Sequence, residues 1–120
     1  MSTELGARLV DAISRKDAAA LEGCFAPDVA LRALVPPGVR ERTGAGDATA
    51  LISAWFADAD PLELVDSSAE MVGDRLSLFY RFQGLEKGEA FVVEQRWYCD
   101  VGEAGIERAD LLCSGFRPPG

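Results

Sequence analysis

The stretch that decides the fold runs from residue 75 to residue 114. It reads RLSLFYRFQ (75–83), GLEKG (84–88), AFVVEQRWYCDV (90–101), GEAG (102–105) and IERADLLCS (106–114). The three long segments are rich in aromatic and β-branched residues, which favour strands, and the glycine-containing segments between them favour turns. We therefore predict consecutive antiparallel strands joined by tight turns.

The residues before this stretch extend the same pattern toward the N-terminus. Residues 62–72 alternate imperfectly between apolar and polar, and Gly73 with Asp74 makes a tight turn, which adds a fourth strand to the meander. Further upstream, residues 29–35 predict a strand that is followed by a Pro-Pro-Gly turn and by a short polar strand over 39–43.

Apolar residues at helical spacing predict three helices in the first half of the chain. The first helix carries Leu5, Leu9, Val10 and Ile13 and is capped by Ser2 or Thr3. The second helix spans 18–25, is capped by Asp17 and is stopped by Pro27. The third helix spans 48–57, follows a loop over 44–47 that ends in the cap Asp47, and carries Leu51, Ile52, Trp55 and Phe56 on one face. Helices followed by a meander predict an α+β fold, with the helices on one face of a curved sheet.

Length and composition fit one folded domain over residues 1–120. The chain has 120 residues, 48% of them hydrophobic, which is enough for one core. Its 20 acidic residues outnumber 12 basic ones and give a net charge of −8, so we expect no nucleic-acid partner and no anionic membrane partner. We find no signal peptide or membrane span in the sequence and expect a soluble, cytoplasmic protein.

The residue types present restrict the chemistry. The chain has no histidine, which removes serine–histidine catalysis and the common zinc sites. Its three cysteines, Cys24, Cys99 and Cys113, are far apart and form no paired motif, so we expect buried thiols in a reducing compartment, with no metal and no cofactor.

Two short motifs support a family resemblance. The segment Phe25-Ala26-Pro27-Asp28-Val29 and the ending Leu112-Cys113-Ser114-Gly115-Phe116-Arg117-Pro118 occur within this order of elements. Together they resemble the nuclear transport factor two-like superfamily, in particular its uncharacterised SnoaL-like and ketosteroid isomerase-like proteins. The resemblance implies a cone-shaped, curved antiparallel sheet wrapped around the N-terminal helices, of the cystatin-like α+β barrel kind. It also implies a deep, largely apolar cavity and a homodimer formed through the outer sheet face.

The strand over 90–101 carries the candidate catalytic residues. Side chains alternate along a strand, so Glu94, Arg96 and Tyr98 share one face, while the opposite face carries Phe91, Val93, Gln95, Trp97 and Cys99. If the first face is inward, Glu94 is an acid or base, Tyr98 a hydrogen-bond donor and Arg96 an anchor for an anion or carbonyl. If the apolar face is inward, Glu94 and Arg96 form a solvated ion pair. The sequence leaves both interpretations open.

Other positions are predicted as cavity wall or as structural acids. We expect the wall to include Trp55, Phe79, Cys113, Leu111 and Phe25. Asp28 is predicted as a turn residue, and Asp110 as an outward side chain paired with Arg108, with Ala109, Leu111 and Cys113 inward. The resemblance places the proton-transferring base of ketosteroid isomerases at Ala33, which cannot accept a proton, so isomerisation by that mechanism is not expected.

Two functions are compatible with these observations. The first is the binding of a small, largely apolar molecule in the cone, extended to cofactor-free cyclase, isomerase or lyase chemistry if Glu94 and Tyr98 face inward. The second is a non-catalytic dimerisation module whose cavity is filled by its own side chains. The direction of Glu94 distinguishes the two.

Overall fold

The structure is a computed structural model, and it describes residues 2–120. The elements follow one another in the order α1 (Ser2–Ser14), α2 (Ala18–Glu22), β1 (Phe25–Val35), β2 (Gly38–Thr43), α3 (Ala45–Phe56), β3 (Ala59–Val72), β4 (Arg75–Glu86), β5 (Glu89–Gly102) and β6 (Gly105–Cys113). No helix formed by residues 2–120 is long and apolar enough to cross a membrane.

All six strands form one curved sheet in the order β2-β1-β6-β5-β4-β3. The pairs β3–β4, β4–β5 and β5–β6 are antiparallel, which confirms the predicted four-strand meander. The pair β1–β6 is parallel, so the prediction of a purely antiparallel sheet is wrong for that pair. The sheet is therefore mixed, and β2 and β3 form its two open edges.

The predicted helix boundaries need two corrections. α2 ends at Glu22 with Gly23 as its C-cap, and the chain enters β1 at Phe25. Pro27 therefore lies inside β1, within an irregular part of that strand's pairing with β6, and does not stop the helix. α3 begins at Ala45 with Gly44 as its N-cap, so Asp47 lies in the first turn and is not the cap. The carboxylate of Asp47 in that turn is still stabilised by the positive end of the helix dipole.

The capping predictions for the first two helices have different outcomes. Asp17 is the cap of α2, as predicted, and its Oδ1 accepts a hydrogen bond of 3.0 Å from the backbone N of Ala20. Thr3 lies inside α1 and is not its cap, while the side chain of Ser2 lies outside the described residues.

The helices cover the concave face of the sheet and close over a core rich in aromatic rings. α1 packs on β3 and β4, and α3 packs on β1. Neighbouring ring centroids lie between 5.1 and 5.6 Å apart along the series Tyr80, Phe82, Phe56, Phe116 and Phe91. This series of rings joins α3, the sheet and the segment after β6 into one packed interior.

Candidate functional site

The direction of the β5 side chains settles which of the two interpretations of that strand describes the molecule. Phe91, Val93, Gln95, Trp97 and Cys99 are buried against the helices, and the alternate side chains face outward. The interpretation that Glu94, Arg96 and Tyr98 look into the cone is therefore wrong. The physical reason is that burying four apolar side chains gives more stability than burying a carboxylate, a guanidinium and a phenol.

Two of the three outward residues, Glu94 and Arg96, have partners on the outer face that differ from those predicted. Glu94 pairs with Arg81, whose Nε donates to Oε2 at 2.7 Å, and it does not pair with Arg96. The guanidinium of Arg96 lies 4.4 Å from the ring centroid of Phe79. Phe79 is therefore part of the outer face, and its prediction as cavity wall is also wrong.

The other predicted wall residues lie on the inner side of the sheet. Phe25 is buried, and its ring stacks on Trp97 with 6.3 Å between centroids. Leu111 is buried with Ala109 on the inward side of β6, as the alternation predicts. Trp55 and Cys113 line a cleft beside the C-terminal segment, which is described below.

The acidic positions considered in the sequence do not reach the interior. Asp28 is exposed in β1 and is not in a turn, so the turn prediction is wrong. Asp110 faces outward as predicted, but it pairs with Arg75 at 3.1 Å and not with Arg108. Ala33 is fully buried on the inner face, so that position offers no carboxylate to the interior.

Four buried side chains inside the cone form a hydrogen-bonded chain that the sequence analysis missed, while the buried Thr49 hydroxyl has no hydrogen-bond partner among residues 2–120. Trp97 Nε1 donates to the hydroxyl oxygen of Tyr80 at 2.9 Å, and that hydroxyl donates to Gln95 Oε1. Gln95 Nε2 and the backbone N of Gly115 each donate to Cys113 Sγ at 3.3 Å. The one sequence signal was Gln95, the only polar side chain on the otherwise apolar inner face of β5.

Burial raises the pKa values of two acidic side chains in this interior. Burial raises the pKa of the Tyr80 phenol far above its ordinary value, despite an opposing contribution from Trp97. Burial also raises the pKa of the neighbouring Cys99 thiol to about 12. The interior chain therefore stabilises the fold and does not offer a ready proton acceptor.

The helical cleft is a pocket between α1, α2 and α3. It has a volume of about 220 Å³ and is lined by Ala12, Ile13, Lys16, Asp17, Ala18, Leu21, Ile52, Ser53, Phe56 and Ala57. Its lining is mainly apolar, and Lys16 and Asp17 are its two charged residues. It opens at the side of the molecule where α1 turns into α2.

The C-terminal cleft is a second pocket, of about 240 Å³, lined by Val35, Pro36, Arg40, Trp55, Cys113, Gly115 and Phe116. The rings of Phe56, which lines the helical cleft, and Phe116 lie 5.6 Å apart, so this aromatic pair stands between the two clefts. Within residues 2–120 there is no group of three or more acidic or cysteine side chains that could hold a metal ion.

Comparison with known proteins gives matches at the level of structure. No protein-family model matches the chain, and no curated protein matches it. A hypothetical protein from Catenulispora acidiphila, solved in complex with trimethylamine, aligns with a TM-score of 0.75 and 18% identity over 92% of this chain and 85% of its own. A candidate polyketide cyclase from Xanthomonas campestris aligns with a TM-score of 0.70 and 21% identity over 93% and 92% of the two chains.

A candidate SnoaL-like polyketide cyclase from Jannaschia sp. gives a similar result. Its TM-score is 0.74, with 16% identity over 94% of this chain and 85% of its own. The chain therefore has the ketosteroid isomerase-like fold. One fold of this kind hosts unrelated chemistries, so function has to be argued from the clefts and surfaces of this chain.

Proposed function

We propose that this protein binds a small, largely apolar molecule in the helical cleft. The observation that carries the proposal is the lining of that cleft, where Ala12, Ile13, Leu21, Ile52 and Phe56 are all buried side chains around a volume of about 220 Å³. An apolar cavity of roughly 150 Å³ is large enough to hold one benzene molecule. The expected ligand is therefore the size of a single substituted ring or a short branched chain.

The proposal is for binding and not for catalysis by Glu94, Arg96 and Tyr98. Those side chains are on the outer face, and the helical cleft has no tyrosine and only one carboxylate. That carboxylate, Asp17, already accepts from Ala20 N at 3.0 Å. The trimethylamine complex of the Catenulispora protein supports small-ligand binding as a use of this fold.

Thermal unfolding with acetophenone, a small apolar carbonyl compound, tests the proposal. Ser53 lies on α3 and lines the cleft, whereas its neighbour Ala54 is exposed and does not. Acetophenone well above its Kd should raise the Tm of the wild type by about 4 °C or more, because it stabilises only the native state. Ser53→Phe, which fills the cleft, should lose this shift.

Ala54→Phe is the matched control, since it adds a phenyl ring to the same helix outside the cleft. It should keep the wild-type response to acetophenone. An equal Tm shift in wild type and Ser53→Phe, or no shift in the wild type at any soluble concentration of the ligand, would count against the helical cleft as the binding site.

We also propose that the protein forms a homodimer through the outer face of its sheet. The register aligns Val39, Leu34, Leu112, Arg96 and Phe79 in one line across five strands, which we call the outer row. Val39, Leu34 and Leu112 are 47%, 50% and 53% exposed, so the row presents contiguous apolar area to solvent. Such a patch on a folded domain is typical of a surface that another protein covers.

Charges beside the outer row support a second acidic copy as the occupant. Arg32 and Arg96 border a groove of about 540 Å³ at this row, and neither has a carboxylate within 4 Å among residues 2–120. Two acids near them in the sheet are already paired, Asp110 with Arg75 and Glu94 with Arg81, and Glu41, opposite Arg32 on β2, makes no ion pair with it. A partner with a net charge of −8 would supply the missing carboxylates.

A further inference from the structure

We infer that the ligand of the helical cleft carries a carboxylate, and that Lys16 holds this charge at the rim. This inference rests on the proposed binding function and specifies the class of ligand: a small aromatic or short branched aliphatic acid. It follows from the hydrogen bonds of the two charged residues that line the cleft.

Lys16 is fixed in place at the rim of the cleft. It follows α1 with a φ of 54°, and its side chain reaches across to the far end of α3. There Nζ donates to the carbonyl oxygen of Ala59 and, at 3.5 Å, to that of Ala57, which itself lines the cleft. A cation at the C-terminal end of a helix is favoured by the helix dipole, which helps to hold the ammonium there.

The ammonium of Lys16 keeps one donor for a ligand. A lysine ammonium has three N–H donors, and the two carbonyls use two of them. No carboxylate lies within 4 Å of Lys16 in the part of the chain that the structure describes. The third donor is therefore available, and the positive charge of Lys16 is not neutralised by an ion pair.

Asp17, the other charged residue of the lining, forms no ion pair with Lys16. Its Oδ1 accepts from Ala20 N at 3.0 Å, and its Oδ2 lies 3.5 Å from Arg15 Nη1. Both oxygens are thus engaged by α2 and by the end of α1. The cleft combines an apolar lining with one available cationic donor at its rim, and this combination fits an apolar molecule with a single negative group.

Calorimetric titration with phenylacetate and with its neutral analogue phenylacetamide tests the inference. The wild type should bind phenylacetate roughly tenfold more tightly than the amide, which is the ratio expected for a charge-assisted hydrogen bond. Lys16→Met, which keeps a long apolar side chain without the charge, should bind both compounds about equally. Lys16→Arg should retain the preference for the acid.

The second lysine of the chain provides the matched control. Lys87 is exposed, pairs with Asp58 at 3.7 Å and does not line the cleft. Lys87→Met removes the same charge from the protein and should leave the preference for phenylacetate unchanged. Circular dichroism checks that each variant is folded, and Lys16→Gln, which also removes the charge and should lose the preference, carries the test if Lys16→Met does not fold.

The outcomes separate this inference from the proposed function. If phenylacetamide binds but the acid is not preferred, or if Lys16→Met keeps the preference, the assignment of Lys16 is overturned and binding in the cleft stands. If neither compound binds the wild type, the inference and the proposed binding site fail together.

Discussion

The indole Nε1 of Trp97, on β5, donates a hydrogen bond of 2.9 Å to the hydroxyl oxygen of Tyr80, on β4. Both side chains are completely buried, and the same hydroxyl donates to Gln95, which is buried as well. The phenol of Tyr80 is therefore the shared partner of two interior polar groups. Its loss would leave the indole N–H of Trp97 and the amide oxygen of Gln95 without a partner in a region that water does not reach.

Tyr80→Phe should destabilise the protein by about 1–3 kcal/mol, the cost of leaving buried polar groups unsatisfied. Urea denaturation followed by tryptophan fluorescence measures the change in the free energy of unfolding. Tyr98→Phe is the matched control, because Tyr98 is the second tyrosine of the chain and is exposed on the outer face. Equal effects of the two substitutions would contradict the role given to Tyr80.

The raised pKa of Cys99 predicts a loss of stability in alkaline solution. The buried thiol keeps its proton up to about pH 12, whereas the unfolded chain releases it near the ordinary value of 9.0. The protonated thiol therefore makes its full contribution to the free energy of unfolding below pH 9. That contribution falls by about 1.4 kcal/mol per pH unit as the pH rises from 9 toward 12. Urea denaturation at several pH values measures this slope.

Cys99→Ala should make that pH dependence shallower, because the variant has no proton to lose at this position. The raised pKa of Tyr80 also lowers the stability of the protein as the pH rises above 10.0, the ordinary pKa of a tyrosine. Part of the pH dependence should therefore remain in Cys99→Ala. An unchanged slope in Cys99→Ala would show that Cys99 does not contribute to it.

The proposed homodimer should depend on the outer row. Leu112→Arg places a further cation at the centre of that row, opposite Arg96, and should convert the dimer to monomer in analytical ultracentrifugation. Val65→Arg is the control, because Val65 is also exposed but lies at an irregularity of the edge strand β3. A wild-type protein that sediments as a monomer at all concentrations would refute the proposed dimer.

Gly84, in β4, should tolerate substitution by alanine poorly. It pairs with Leu62, and a Cβ at this position would lie 2.0 Å from the carbonyl oxygen of Pro61. Because that obstacle is backbone, Gly84→Ala should cost about 1–3 kcal/mol. Gly46→Ala, in the first turn of α3 with open space around it, should instead be neutral or stabilise by up to about 1 kcal/mol. Thermal unfolding of the two variants measures the contrast.

The order of the elements could be predicted from the sequence because local signals determine it. Asp17 caps α2, Gly73 with Asp74 forms a turn, and the meander follows, all as the residue types indicate. The inward direction of Leu111 and Cys113 could also be predicted, because the alternation along β6 is clear. These features depend on neighbours within a few residues of each other.

The candidate site could not be predicted in the same way, because it depends on contacts between distant segments. Both faces of β5 carry an aromatic side chain, so alternation alone did not decide the direction of Glu94. The partner of Asp110 is Arg75, two strands away, and only the register of the sheet brings them together. The helical cleft is formed by three helices. Lys16 is held at the rim of this cleft by a hydrogen bond to the carbonyl oxygen of Ala59, 43 residues further along the chain.

The parallel pairing of β1 with β6 has a consequence for biosynthesis. Until residues 105–113 leave the ribosome, β1 has only the short strand β2 beside it, and its other edge is unpaired. The nascent chain therefore cannot complete its sheet before its last strand is made. A polypeptide cut off before residue 105 should remain unfolded and be a substrate for chaperones and proteases.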